Sequence, residues 1–286
     1  MARRTSLGQR RRDETRECVP DPASVFSRSE FCLRLNSPPP RPWLHPLWPV
    51  WYHRRVPIDL ICIDADDTLW RHVRHFEVAQ RTVVDVLAPY VAGHVTRERL
   101  EAVEARNLAI YGYGVKSFTL SMIETALDLC GDALPASAVG EILAAGRDLM
   151  RHPIELLPGV EDALDALAER GRLVLVTKGD LFHQEAKLAA SGLGERFTGV
   201  EIVSDKTVHA FRRLFERYEV EPMQSAMAGD SVRSDILPAL AAGAWAAHVP
   251  PDDVWAHEHA EAPEDHPRFR RFARLGDLPA WIDSIP

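Results

Sequence analysis

The apolar positions of this chain follow two rhythms. Short, nearly unbroken apolar runs occur at residues 58–63 (IDLICI), 172–177 (RLVLVT), 200–204 (VEIVS), 225–230 (SAMAGD) and 244–249 (AWAAHV). Between the later runs the spacing turns helical, at 159–170, 181–191, 206–218 and 233–242. Short β-rich runs alternating with amphipathic helices predict an α/β fold, a doubly wound parallel sheet with helices on both faces. Strands apolar along their whole length suit a sheet covered on both sides. In open sheets of this kind ligands gather at the carboxyl ends of the strands, so chemistry is sought just after each run.

One interval breaks the rhythm. About 108 residues separate Ile63 from Arg172, and most carry helical periodicity in four stretches, at 75–90, 96–110, 118–131 and 136–150. No strand-like run interrupts them. The interval is too long for a crossover, and it predicts an all-helical insertion over 71–157 within a core of 56–70 and 158–286. The turn Pro158-Gly159 returns the chain to the core. Inside the insertion, YGYGVKSF (111–118) breaks the helical pattern with two Tyr-Gly pairs. Such a loop, facing the core, is expected to set substrate choice through Tyr111, Tyr113, Lys116 and Phe118; an ordinary interhelical turn with buried rings is the competing reading.

Composition narrows the function. The 286 residues are 46% hydrophobic with a formal charge of -8, but residues 1–55 hold eleven Arg against five Asp and Glu, which leaves the remainder near -14. So acidic a body argues against a polymeric nucleic acid as partner. No apolar run approaches the roughly 18–20 residues that span a bilayer, which argues against a membrane partner. Residues 1–55 are dense in proline, as in NSPPPRPWLHPLWP, and are expected to form an extended or disordered segment that the catalytic body does not need. Cys18, Cys32, Cys62 and Cys130 show no CxxC spacing, so reduced thiols in a cytoplasmic setting are expected, without a zinc site. His257 and His259 are spaced two apart and are read as part of a solvated loop.

The strand ends carry the chemistry. After the first strand come Asp64, Asp66, Asp67 and Thr68; after the second, Thr177, Lys178, Gly179 and Asp180; after the third, Asp205 and Lys206; after the fourth, Asp230, with Asp235 beyond it. Carboxylates crowded at one edge repel each other, and a bound cation relieves the repulsion. An all-oxygen set at this density suits Mg²⁺ rather than zinc. The chain has 30 Arg and only four Lys, Lys116, Lys178, Lys187 and Lys206. Lys178 and Lys206 fall at strand ends, where a compact point charge fits beside a carboxylate and a phosphate better than the fork of Arg. Lys187 is expected to be an ordinary surface lysine, and Asp67 a turn-capping residue.

The motifs DADDTLW, VTKGD, SDK and GDSVRSD, in this order and on these elements, resemble those of the haloacid dehalogenase superfamily over about residues 57–283. The resemblance implies a Rossmann-like core with a helical cap of the first type. It implies Asp64 as nucleophile, and Asp66 as the acid and base that also lends its backbone carbonyl to Mg²⁺. It implies Thr177 on a phosphoryl oxygen, Lys206 neutralising nucleophile and phosphate, and Asp230 and Asp235 on the metal. Thr68, Lys178 and Gly179 join the substrate-binding candidates, although relatives often have Asn or Gly where Lys178 stands. Dehalogenases of the superfamily lack an Asp two positions after the nucleophile, so Asp66 favours hydrolysis of a phosphate ester on a small phosphorylated metabolite. A phosphomutase, a phosphonatase using Lys116, and a catalytically quiet binding protein of the same fold remain alternatives.

Overall fold

The computed structural model describes residues 57–250 and 260–286. The expectations for residues 1–55 and for His257 and His259 lie outside the described residues. Six parallel strands form one sheet: β1 (Leu60–Ile63), β2 (Arg172–Lys178), β3 (Gly199–Val203), β4 (Ser225–Gly229), β5 (Trp245–His248) and β6 (Phe269–Arg271), in the order β3-β2-β1-β4-β5-β6. The order reverses at β1, which pairs with β2 on one side and β4 on the other. This is the switch point at which open parallel sheets bind ligands. The three-residue β6 carries no apolar run and was not predicted.

Alternation along each strand divides the core into two layers. Ile61 and Ile63 face one side with Leu173, Leu175 and Ala228, against α5 (Val160–Ala168) and α9 (Leu278–Ile282). Leu60 and Cys62 face the other, with Val174 and Met227, against α7 (Val208–Arg217) and α8 (Leu237–Ala242). Two helix starts have a local cause. Asp180 caps α6 (Leu181–Ser191) by accepting from the His183 N–H at 3.1 Å, and Thr207 caps α7 through the Ala210 N–H at 3.1 Å. The expected helix over 233–242 begins instead as a π-turn, Val232–Ile236, before α8.

The long interval holds four helices, α1 (Val73–Leu87), α2 (Gly93–Tyr111), α3 (Val115–Cys130) and α4 (Ala136–Arg151). They bury a cluster of their own around Val83, Leu100, Met122 and Ile142. The two chain segments joining them to the core run side by side. The Arg71 N–H donates to Glu155 O at 3.0 Å and the Leu157 N–H to Leu69 O at 2.9 Å, with Trp70 bridged to Leu156. Stacked rings of His75 and His152, 3.9 Å between centroids, pack beside this crossing. Among the described residues no helix is long and apolar enough to cross a membrane.

Leu164 on α5 is fully buried against the sheet. Leu164→Ala should lower unfolding free energy by about 2–5 kcal/mol in urea denaturation, the cost of a buried leucine cavity. A loss below about 1 kcal/mol would show that α5 collapses into the space.

Candidate active site

Strand β1 ends at Ile63, and the chain turns at once, so Asp64 stands at the switch point. Its Oδ1 accepts from Lys206 Nζ, and its Oδ2 lies 3.4 Å from Thr68 Oγ1. Thr68 Oγ1 also lies 3.5 Å from Asp230 Oδ1. Lys206 reaches in from the loop after β3 and donates a second bond to Asp235 Oδ1 at 2.6 Å. Asp235 hangs from the π-turn, where its Oδ2 also accepts the Ser231 N–H at 3.0 Å. The wider π-turn aims this carboxylate back over the end of β4. There Gly229 is needed for space, because a Cβ would overlap the Asp235 carboxylate.

Asp64, Asp230 and Asp235 each offer an oxygen within 4.8 Å of the other two. Burial raises the Asp230 carboxyl well above its ordinary value, and Asp64 and Asp235 push it the same way. Asp235 is likewise raised by burial and by Asp64, with Lys206 working against them. The ammonium of Lys206 resists burial, yet Asp235 and Asp64 hold its pKa above the usual lysine range. One lysine therefore cannot neutralise the group. An all-oxygen donor set with surplus negative charge fits a hard divalent cation such as Mg²⁺.

Asp66 is held differently. Lys187 Nζ sits 2.6 and 2.7 Å from its two oxygens, Gln184 Nε2 donates at 3.0 Å, and Trp70 Nε1 donates at 2.7 Å. His72 Nε2 lies 3.5 Å away. Burial alone would raise the Asp66 carboxyl, but His72, Lys187 and Gln184 outweigh it and hold it well below the usual carboxylate range. Burial pushes His72 far below its own ordinary value, with Asp66 working against it. Lys187 is thus no surface lysine; it is 4% exposed. A signal existed in the sequence. His183, Gln184 and Lys187 share one face of α6 at helical spacing, and that polar face is the buried one. Trp70 and His72 carried no readable signal, because only the crossing of the two linkers brings them to Asp66.

Asp67 takes the capping role expected of it. It adopts φ 57°, a left-handed conformation that Asp tolerates, and accepts the N–H groups of His72 at 2.8 Å and Val73 at 3.0 Å at the start of α1.

Asp64, Asp66, Asp67, His72, Gln184 and Lys187 line a cavity of about 120 Å³ between the sheet edge and the helical insertion, whereas Thr68 does not reach it. Thr177, Lys178, Gly179, Lys206, Asp230 and Asp235 all reach it, as do Tyr113 and Phe118 from the insertion. Tyr111 and Lys116 do not line it. Tyr111 turns outward to Glu124 at 2.9 Å, and Lys116 pairs with Asp180 at 2.9 Å on the surface. Lys178 donates to Ser234 Oγ at 2.7 Å and lies 4.0 Å from the centre of the Tyr113 ring. Gly114, at φ 118°, lies against Asp180, whose N would be 3.2 Å from a Cβ there. A larger groove of about 810 Å³ runs over α5 and α9. It touches Asp67 and Thr68 but holds none of the metal-suited carboxylates, so the chemistry belongs to the smaller cavity.

The sequence model of the haloacid dehalogenase-like hydrolase family matches residues 58–243, and the chain belongs to that family. Among solved structures it is similar to a haloacid dehalogenase-like family hydrolase from Xanthomonas campestris, at 36% identity and TM-score 0.72, over 80% of this chain and 91% of that one. It is also similar to the HAD-hydrolase YfnB from Bacillus subtilis bound to magnesium, at 19% identity and TM-score 0.58, over 79% and 99%. A third likeness is the 2-haloacid dehalogenase from Pseudomonas syringae pv. tomato, at 20% identity and TM-score 0.55, over 79% and 99%. The last two show a shared fold. No curated protein matches the chain.

The Gly229 contact yields a test of the metal reading. Gly229→Ala should weaken Mg²⁺ binding by about 10–100-fold in titration calorimetry, the usual cost of disturbing the support of a ligand. Unchanged affinity in a folded variant would separate Asp235 from the metal.

Proposed function

We propose that this hydrolase is a Mg²⁺-dependent phosphomonoesterase that works through an aspartyl-phosphate on a small phosphorylated metabolite. The carrying observation is Asp66, a carboxylate two residues after Asp64 that lines the same cavity and is fixed there by Lys187, Gln184 and Trp70. Displacement of halide calls for no such proton carrier, whereas an alkoxide leaving group does. Fold neighbours include a dehalogenase as well as a magnesium-bound hydrolase, so the choice rests on this residue.

Asp64 Oδ2, with only the long Thr68 contact, attacks phosphorus. The bond from phosphorus to the leaving oxygen breaks, and Asp66 gives that oxygen its proton. Water then attacks the phosphoryl group, passes a proton to Asp66, and the bond between phosphorus and Asp64 breaks to restore the carboxylate. An arriving phosphate dianion raises the proton affinity of Asp66 for the first step; the Lys187 pair favours the ionised form needed for the second. Thr177 binds a phosphoryl oxygen, and Lys206 neutralises charge on nucleophile and phosphate. Asp64, Asp230 and Asp235, with the Asp66 backbone carbonyl, would hold Mg²⁺, which supplies charge stabilisation for the transferring group.

The small cavity, about 120 Å³, supports a small phosphorylated substrate. Lys116, drawn out to Asp180, gives no support to a Schiff-base phosphonatase. Cys62 and Cys130 are free thiols, in keeping with a cytoplasmic enzyme.

Asp64→Asn, nearly isosteric, should fold like the wild type and release phosphate from p-nitrophenyl phosphate at below about 1% of its rate. Activity above that level in the folded variant removes Asp64 as nucleophile. Chelation with EDTA should abolish turnover and Mg²⁺ should restore it, with Ca²⁺ a poor substitute because its looser coordination misplaces an in-line transfer. Full turnover in metal-free buffer would sink the metal dependence.

A further inference from the structure

Lys187 and Gln184 belong to none of the four strand-end motifs, yet both are buried and both reach Asp66. A buried ammonium is costly, and a leucine or methionine at that position of α6 would pack without the penalty. The pair is not core filling either, since both residues line the cavity that holds Asp64. The orientation of the Gln184 amide is fixed by its surroundings. Its Nε2 meets three acceptors, Thr177 Oγ1 at 2.7 Å, Lys178 O at 2.8 Å and Asp66 Oδ2 at 3.0 Å. A flipped amide would set an oxygen against the Lys178 carbonyl and the Asp66 carboxylate. Gln184 thus ties Asp66 to the end of β2, where Thr177 stands. Lys187 bridges both Asp66 oxygens from the same helix face, and Trp70 Nε1 fixes Oδ1 from the linker.

We propose that Lys187 and Gln184 are positioning residues for the proton steps, holding the Asp66 carboxylate where it meets the leaving oxygen and then the attacking water. The inference rests on the phosphatase reading and on Asp66 as its proton carrier. A group that must hand on a proton twice in one turnover gains from a single fixed direction, because small misplacements cost orders of magnitude in rate.

The test uses the full chain and a series of substituted phenyl phosphates, alike in shape but graded in leaving-group basicity. Lys187→Met should lower kcat/KM for phenyl phosphate about 10–100-fold more than for p-nitrophenyl phosphate, whose leaving group departs with little need of a proton. Asp66→Asn should show the same steepening. In the Asp66→Asn background, adding Lys187→Met should change rates by less than about threefold, since a residue acting through Asp66 has nothing left to act on. If Lys187→Met does not fold by circular dichroism, Gln184→Leu carries the test, with the same steepening at about 3–10-fold. An equal fall across the series with wild-type enzyme active, or a further tenfold loss in the Asp66→Asn background, overturns the inference and leaves the phosphatase reading standing. Wild-type protein that releases no phosphate from any ester removes both.

Discussion

A single lysine, buried among carboxylates, governs the arrangement of this protein. Lys206 is 2% exposed at its side chain and bonds Asp64 and Asp235 at once. Buried charges of this kind are tolerated only when paired and hydrogen-bonded, and removing one partner is costly. The sheet meets that demand by construction. Strands β1, β3 and β4 end at one edge, and the π-turn after β4 reaches back so that Asp235 can join. With three carboxylates and one ammonium the balance stays negative, which reserves the remaining charge for a cation.

The second acidic position obeys a different logic. Asp66 is paired with Lys187 from α6 and Asp64 with Lys206 from a strand end, so the two carboxylates have different counter-charges although they are two residues apart. In the proposed mechanism Asp64 would sit beside metal and phosphate and Asp66 would exchange protons.

The sheet and the metal-suited carboxylates were legible because they follow from periodicity and from position at strand ends. Apolar runs marked five of the six strands, and only the short β6, with no run of its own, escaped. The helical insertion was legible for the same reason. What escaped were contacts made by folding across distance. Lys187 read as a surface lysine because polar residues on a helix usually face solvent, whereas the polar face of α6 turns inward. Tyr111 and Lys116 looked like pocket residues by nearness to Tyr113 and Phe118, yet a loop sends neighbouring side chains in different directions once it docks. Tyr113 and Phe118 face the cavity, while Lys116 is drawn out to Asp180.

The side-by-side crossing of the two linkers has an architectural meaning. Leu69 and Leu157, 88 positions apart in sequence, share a hydrogen bond of 2.9 Å. From the side of the core, then, the whole four-helix stretch begins and ends at one point, as a short hairpin would. Closing so long an excursion costs little more than closing a modest one, because the entropy grows only with the logarithm of length. The same hydrolytic sheet can therefore accept a larger, smaller or differently shaped roof at this point without rebuilding its floor, which makes the insertion a replaceable part.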